Sequence, residues 1–436
     1  LRWPINISNQ LMACPDCDLL LQRRPIPKGK ALVCPRCGRT LAKHTSHSLD
    51  KTLALSSTGL LLYLPAMLLP LLTFEFFGFK ESANVMQSIL NFYDNGYSLV
   101  SLIVFISAVL LPLTQLLSIF PVSLLLKRGK SHRLLAPLFR SYLHLQEWAM
   151  TEVYLLGITI TVIKMGASTQ ISYHSGVFCF GALVLVTLVT STAIDRELFW
   201  QLIDNSRPVM LEHEPMTVQP TTAACEGFIS CTTCTKLVPH NADTRHCPRC
   251  GSTLRQRKTA SVVRTWALVA TAAIFLVPAN IFPIMEVDFL GIPSRSTIID
   301  GIIGFFHKGN YGIGLIILIA SILVPLFKII GLGILLTTTR PCKLFLLRQK
   351  ARMYRFIAFI GRWSMLDIFV IALLTVLVDF GLLTSIHTAP AATYFCIVVI
   401  ASMFAAITFD PRLMWDRCQP CHSALPLPST SKRSSP

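Results

Sequence analysis

The sequence predicts an all-α integral membrane protein of two tandem repeats. Each repeat is a cytoplasmic zinc ribbon followed by four transmembrane helices, eight helices in total. Three observations carry that expectation. Hydrophobic residues make up 53% of the 436 residues and charged ones only 14%, where a soluble domain carries about a quarter charged residues. Charge is also absent from windows of 20 to 30 residues at a time, which rules out an ordinary soluble enzyme. Ten of the 14 cysteines fall in Cys-x-x-Cys pairs, a spacing that suits metal ligands before disulfides.

In chain order, the first ribbon is expected over 12–44, where Cys14-Pro-Asp-Cys17 and Cys34-Pro-Arg-Cys37 are separated by 16 residues. Residues 1–13 lack the apolar core of a cleavable signal peptide, and Met12 is a candidate start. The first helical unit follows over 53–200. Its uncharged runs 53–74 and 95–126 are each long enough to cross about 30 Å of hydrocarbon. The stretch 153–194 is too long for one crossing and reads as a helical hairpin turning at 166–176. After a linker, 201–230, the second ribbon spans 231–254, with Cys231-Thr-Thr-Cys234 and Cys247-Pro-Arg-Cys250 separated by 12 residues. The second unit, 262–415, repeats the pattern with runs at 265–285 and 309–339 and a hairpin over 368–409 turning at 381–390. A tail, 416–436, closes the chain.

Four thiolates in two close pairs suit Zn(II) in a closed structural site, which predicts two zinc ions per chain. A module of about 30 residues buries too little apolar surface to fold alone, and the metal replaces a core. The competing reading, disulfides or a thioredoxin-like redox pair, fits poorly with the reducing cytosol and the lack of a βαβ pattern. Cys418-Gln-Pro-Cys421-His422 is a lone knuckle with only Cys225 unassigned nearby, so a third metal site is the weaker reading. Cys179, Cys342 and Cys396 read as ordinary apolar or interfacial residues.

The segments 1–52, 127–147, 195–264, 340–362 and the tail after Phe409 hold 34 of the 39 basic residues. The opposite loops hold three, Lys80, Arg295 and Lys308. The positive-inside rule therefore places both termini and the linker in the cytoplasm. The same distribution accounts for most of the net charge of +17 as topology and lipid-surface charge rather than nucleic-acid binding.

Shifting the chain by 213 residues lays Cys34, Cys37, Pro65, Pro70, Gly96 and Pro112 on Cys247, Cys250, Pro278, Pro283, Gly309 and Pro325. A shift of 215 lays Trp148, Glu152, Gly166, Asp195 and Trp200 on Trp363, Asp367, Gly381, Asp410 and Trp415. Matched cysteines, prolines, tryptophans and acids make chance alignment of Leu-rich segments a poor explanation. Four helices per copy is an even number, so the copies share orientation about a pseudo-two-fold along the membrane normal. Pro65 and Pro278 are expected to kink or break the first helix of each copy near its outer end. An amphipathic segment follows. Val85, Met86, Ile89, Leu90 and Tyr93 recur as Ile298, Ile299, Ile302, Ile303 and Phe306, either a helix at the lipid interface or an outer lip for a partner.

Few charges interrupt the helices: Glu152 and Lys164 in the first copy, Lys328, Asp367 and Asp379 in the second. Each is costly at depth unless paired or hydrated, which makes it a functional candidate. Ser321 and Ser364 add hydroxyls near the charges of the second copy. Lys328 has Gln115 as its counterpart, whereas Lys164 and Asp379 occupy equivalent positions with opposite sign and read also as snorkelling residues at the outer boundary. No nucleotide loop, zinc-protease motif or nucleophile triad is present in the sequence, so a non-enzyme is expected.

The paired knuckles, the Leu64-Pro65 and Val277-Pro278 motifs, and Trp148-x-Met150-x-Glu152-Val153-Tyr154 with Trp363-x-Met365-x-Asp367-Ile368-Phe369 carry a resemblance over nearly the whole chain. In these the chain resembles the paraquat-inducible protein A family, most closely its LetA (YebS-like) branch. The resemblance implies tetraspanin-like four-helix units in the inner membrane of a Gram-negative bacterium. It also implies a periplasmic MCE-domain protein as partner, phospholipid as cargo and intermembrane transport as function. Two readings compete: a transporter that loads phospholipid into an MCE tunnel, coupled to protons through Lys328, Asp367 and Asp379, and a non-transporting scaffold that anchors the MCE protein.

Overall fold

The structure is a computed structural model. It describes residues 11–416 apart from 24–26, 28, 44, 77–78, 95, 97, 131, 147, 150, 166–169, 205–220, 241–244, 290–291, 308, 310, 339–343, 362–368 and 371–383. Among the described residues, six helices are long and apolar enough to cross a membrane: Ser48–Leu68, Ser98–Lys127, Ser175–Ala193, Ser261–Ile281, Gly314–Thr337 and Ala391–Thr408. The protein is a multi-pass membrane protein of mostly helical build, with a repeated four-cysteine group and a repeated helical segment.

In the first copy, α1 (Ser48–Leu68) crosses away from the ribbons and carries Pro65 within its last turn. The helix ends three residues after that proline, near its outer end. A hairpin of β5 (Leu72–Phe76) and β6 (Phe79–Ala83) follows, then the amphipathic α2 (Val85–Asp94). The second crossing runs through α3 (Ser98–Val104), a π-helical turn (Phe105–Leu110) and α4 (Leu111–Lys127). After α5 (Leu135–Leu145), α6 (Thr151–Met165) returns outward to β7 (Gln170–Tyr173), and α7 (Ser175–Ala193) leads back to the short α8 (Arg196–Ile203). The second copy repeats this with α9 (Ser261–Ile281), β10 (Met285–Phe289), β11 (Ile292–Ser296), α10 (Ile298–His307) and α11 (Tyr311–Leu318). A π-helical turn (Ile319–Leu323), α12 (Val324–Thr337), α13 (Leu344–Ile360), β12 (Thr384–Thr388), α14 (Ala391–Thr408) and α15 (Leu413–Asp416) complete it.

Two features were not anticipated from hydropathy. At the end distal to the ribbons each copy folds a three-stranded antiparallel sheet, ordered β6-β5-β7 in the first copy and β11-β10-β12 in the second. The third strand comes from the centre of the stretch read as a tight helical hairpin. The strands are five residues or fewer and mixed in polarity, too short for a period-2 pattern to stand out against flanking spans. The second feature is the π-helical turn ahead of Pro112 and of Pro325. A proline ring clashes with the carbonyl four residues earlier, and widening the preceding turn relieves that clash inside a continuous span.

The same serine closes both bundles on the ribbon side. Ser48 Oγ donates to Ala193 O at 2.7 Å and accepts from Asp195 N at 2.9 Å. Ser261 Oγ donates to Thr408 O at 2.8 Å and accepts from Asp410 N at 2.9 Å. Each ties the start of a copy's first span to the end of its last. At the distal end the copies differ: a Cβ at Gly176 would collide with the Pro70 carbonyl, while its counterpart Ala391 fits and donates its N–H to Pro283 O at 3.3 Å.

The two copies share one core. Tyr154 stacks edge-on against Phe369 at 5.3 Å between ring centroids, and both are fully buried. These residues are counterparts 215 apart, so the pseudo-two-fold passes between them. Trp148 of the first copy lies against Phe404 of the second at 5.2 Å.

Candidate metal centres and the buried lysine

The first ribbon pairs β1 (Leu11–Ala13) with β2 (Leu20–Gln22) and β3 (Ala31–Val33) with β4 (Thr40–Lys43). The second pairs β8 (Phe228–Ser230) with β9 (Leu237–Pro239), and among the described residues its other knuckle is flanked by a single bridge, His246 to Thr253. All four knuckles close alike. The residue after the second cysteine is left-handed, with φ of 59° at Asp18, 73° at Gly38, 57° at Thr235 and 69° at Gly251. Its N–H returns to the first cysteine's carbonyl at 2.8 Å, 2.9 Å, 3.0 Å and 2.8 Å. That turn aims both thiols of a pair at one point. Gly38 and Gly251 fill it without strain, whereas Asp18 and Thr235 hold a conformation that costs L-residues about 1 kcal/mol or more.

Cys14, Cys17, Cys34 and Cys37 come together, as do Cys231, Cys234, Cys247 and Cys250, with all Sγ atoms of each group within 4.8 Å of one another. The nearest pairs are 3.4 to 3.6 Å apart, too far for a disulfide at about 2.05 Å. They fit the edges of a tetrahedron whose centre lies about 2.3 Å from each sulfur. Each group can hold a metal ion, and the four-thiolate set fits zinc. The thiols of Cys37 and Cys250 are both drawn down to about 6. For Cys37 the hydrogen bonds from Cys14 and Cys17 cause it; for Cys250 the contact with Cys231 opposes, and those with Cys234 and Cys247 prevail.

Each ribbon docks on the other copy's helices. The thiols of the first ribbon pack with Leu332, Leu335, Leu347 and Trp415 of the second copy. Those of the second pack with Ile119, Phe139, Phe199 and Trp200 of the first copy. Guanidinium groups line both seams. Arg355 donates to Asp16 Oδ2 and to Cys37 O, each at 3.0 Å, and its counterpart Arg140 donates to Cys250 O at 3.3 Å. Four thiolates around a divalent ion leave a net charge of −2, which these cations offset. The ribbons also meet each other: Ala223 N donates to Asp18 O at 2.9 Å, and Leu11, Leu20, Phe228 and Leu237 share a small core. Arg257 bridges Asp18 at 2.8 Å and Asp416 at 2.6 Å. Burial still holds the Asp18 carboxyl above its ordinary value against the pull of Arg257.

Cys225 is disulfide-bonded, and Cys418, Cys421 and His422 lie outside the described residues, as do Ser364, Asp367 and Asp379. Glu152 and Lys164 stand at opposite ends of α6, Glu152 half-buried in its first turn. Lys328 is fully buried on α12, and its Nζ has no hydrogen-bond partner among the described residues. Ser321, seven residues earlier, is likewise fully buried with its Oγ unpartnered among them. In the first copy the same two positions are Ala108 and Gln115, and Gln115 lies beside Tyr142, whose counterpart is Ile357. Sequence reasoning missed the crossed docking and its Arg–Trp contacts. The signal was there in part, since Arg36 with Arg249 and Arg140 with Arg355 also repeat at 213 and 215.

The model of the paraquat-inducible protein A family matches residues 49–204 and 262–419, one match on each copy. The chain is 32% identical over 408 residues to the intermembrane transport protein PqiA of Escherichia coli K12, covering 93% of this chain and 95% of that one. It is also 32% identical over 404 residues to the lipophilic envelope-spanning tunnel protein A of the same organism, covering 92% and 90%. A probable intermembrane transport protein of Haemophilus influenzae is 30% identical over 412 residues, covering 93% and 96%. No solved structure matches the chain.

Proposed function

We propose a function from the premise that the chain belongs to the paraquat-inducible protein A family. It is an inner-membrane component of a Gram-negative envelope lipid-transport system. It passes phospholipid between the inner membrane and a tunnel formed by a periplasmic MCE-domain protein. The relatives' names, which speak of intermembrane transport, support the transport class and a non-enzyme. The positive-inside count supports placing the ribbons and both termini in the cytoplasm. Each ribbon carries one zinc ion, two per chain, and the metal clamps the opposite copy's helices.

The observation that carries an active role over an anchor is Lys328. An unpartnered ammonium at the centre of a span costs about 3 kcal/mol on the mildest scale, and a scaffold has no use for that cost. Ser321 sits in the π-helical turn and Lys328 beyond it, in α12. The acids of the seventh span, Asp367 and Asp379, are the partners we assign to them. A proton arriving at an Asp would release the lysine to change partner, which couples proton entry to lipid movement. Lys328→Ala, Asp367→Asn and Asp379→Asn should each leave expression and partner binding nearly intact while abolishing envelope function in vivo. Normal lipid handling and detergent resistance in all three would replace this reading with the scaffold.

A further inference from the structure

A cavity of 380 Å³ lies at the seam between the copies, on the ribbon side. Gln146 and its counterpart Gly361 both line it, which places it on the pseudo-two-fold, below the Tyr154–Phe369 and Trp148–Phe404 contacts. Its inner wall is apolar, formed by Met403, Ala406 and Ile407 from the last two turns of α14. Its rim is cationic. Arg196, at the start of α8, and Lys258, just ahead of α9, both face it, and no Asp or Glu is among the described lining residues.

Arg196 is held by an amide, and Lys258 by carbonyls, with its backbone N–H on Asp410 Oδ2 at 3.1 Å. Arg196 Nη2 donates to Gln146 Oε1 at 3.1 Å, its one hydrogen bond among the described residues. Lys258 Nζ donates to Ile407 O at 2.5 Å and Phe409 O at 3.1 Å, capping the end of α14. An exposed guanidinium with most of its fork open is suited to an oxyanion that accepts two parallel N–H bonds, above all a phosphate. The volume lies within the range of small-molecule sites. The depth says more. The cavity opens where α7 and α14 leave the apolar layer, the level of lipid headgroups. Beside it α13 turns Phe356 and Phe359 outward, 51% and 57% exposed, as an interfacial helix does. A soluble phosphate needs no apolar wall; a phospholipid does.

We propose that this cavity binds the phosphate headgroup of an anionic phospholipid from the leaflet on the ribbon side, one per chain. Arg196 grips the phosphate, and the first methylenes of the acyl chains lie along Met403, Ala406 and Ile407. The inference deepens the lipid-transport reading and rests on it for its purpose, the uptake of cargo at the seam between the copies. The unequal rim also sets selectivity, because a zwitterionic choline would bring its cation against Arg196 and Lys258.

The test uses the full chain purified in mild detergent, with bound lipid counted by native mass spectrometry after exchange with phosphatidylglycerol or phosphatidylcholine. One phosphatidylglycerol per chain should be retained about tenfold better than phosphatidylcholine. Arg196→Gln should lower that retention about fivefold, the usual worth of one interfacial cation. Ala358→Trp, an exposed residue on the cavity wall, should lower it by filling the space while leaving the melting temperature unchanged. Equal retention of the two lipids, or wild-type retention in both variants, overturns the proposal. So does displacement by millimolar glycerol 3-phosphate or inorganic phosphate, which would make the cavity an anion site only. Lys328→Ala should keep the bound lipid, so a failure of the coupled-transport reading leaves this result standing.

Discussion

The two copies agree on the ribbon side and part company in the middle. On the ribbon side Ser48 and Ser261 close their bundles with the same two bonds, Asp195 N and Asp410 N donating to them, and Arg140 and Arg355 each donate to the last cysteine's carbonyl of the docked ribbon. At mid-span the first copy has Gln115 and Ala108 where the second has Lys328 and Ser321. A framework that closes the helix ends and seats a metal ribbon tolerates little change, because its hydrogen bonds are buried or partly buried and a partner left behind is unsatisfied. A mid-span position carries no such contact and is free to acquire a charge. The duplication therefore supplies two equal braces and one unequal interior.

The largest effect should come from the braces. Changing Cys231 and Cys234 together to Ser removes two of four ligands, and a ribbon without metal unfolds. Protein abundance should fall several-fold. Because the second ribbon sits on the first copy's helices, limited proteolysis of what remains should cut first in the segment 128–134 of the first copy. Changing Cys14 and Cys17 should instead expose the second copy, around 339–343. Cleavage on the same side as the mutated ribbon would break the crossed arrangement. Elemental analysis should find two zinc ions in the parent and about one in each variant; none, with oxidised thiols, overturns the ribbon reading.

The unequal interior gives the next effect. Lys328→Met removes an ammonium that has no hydrogen-bond partner among the described residues, and carboxyls left beside it take up a proton rather than stay charged. Thermal unfolding should therefore be unchanged or stabilised by about 1 to 3 kcal/mol, while envelope function is lost. Gln115→Lys, the reverse change in the first copy, should destabilise by about 3 kcal/mol, the cost of placing a new ammonium in a span beside Tyr142. If the two substitutions behave alike, the copies are not chemically distinct.

A smaller difference separates Asp195 from Asp410. Both accept backbone N–H groups at the start of a short helix, but Asp410 also takes Arg412 at 3.0 Å, with both side chains buried. Burial raises the Asp410 carboxyl, and the bonds from Arg412 and the Lys258 N–H more than reverse it, so its folded pKa lies below the ordinary value. The stability this contributes is present above about pH 4 and is lost as pH falls through the folded pKa. Asp410→Asn should therefore cost about 2 kcal/mol at neutral pH, a deficit that shrinks on acidification below pH 4. Asp195→Asn keeps a good cap and should cost a few tenths.

Much of this was legible in the sequence because it is periodic or charged. Four spans stand out as apolar runs and two longer stretches as helical hairpins, the copies as two shifts, and the knuckles as spacing. What escaped reading was whatever depends on distant segments meeting. A five-residue strand such as Thr384–Thr388 declares itself only once β10 is beside it. The crossed docking leaves no trace in local pattern, since each ribbon precedes the copy it does not brace. The cavity needs Arg196 and Met403 side by side, and nothing about either alone suggests a site.

The smallest contrast is between two arginines that face tryptophans across the crossed seams. Arg36 lies over the Trp415 ring at 4.3 Å, close enough for a cation–π attraction of about 0.5 to 1 kcal/mol. Arg249 stands 5.9 Å from the Trp200 ring, at the limit of that interaction, and instead donates from Nε to the Trp200 carbonyl at 3.2 Å. Of its tryptophan, Arg36 meets the ring and Arg249 the backbone. A double-mutant cycle separates them, because Trp→Leu removes a ring and leaves the carbonyl. Arg36→Met with Trp415→Leu should show a coupling of about 0.5 to 1 kcal/mol in thermal unfolding. Arg249→Lys with Trp200→Leu should show almost none, although Arg249→Lys alone costs about 1 kcal/mol for the lost hydrogen bond. Equal couplings in the two cycles would mean that the seams are more alike than their ring distances, and that the difference between the copies is confined to the membrane interior.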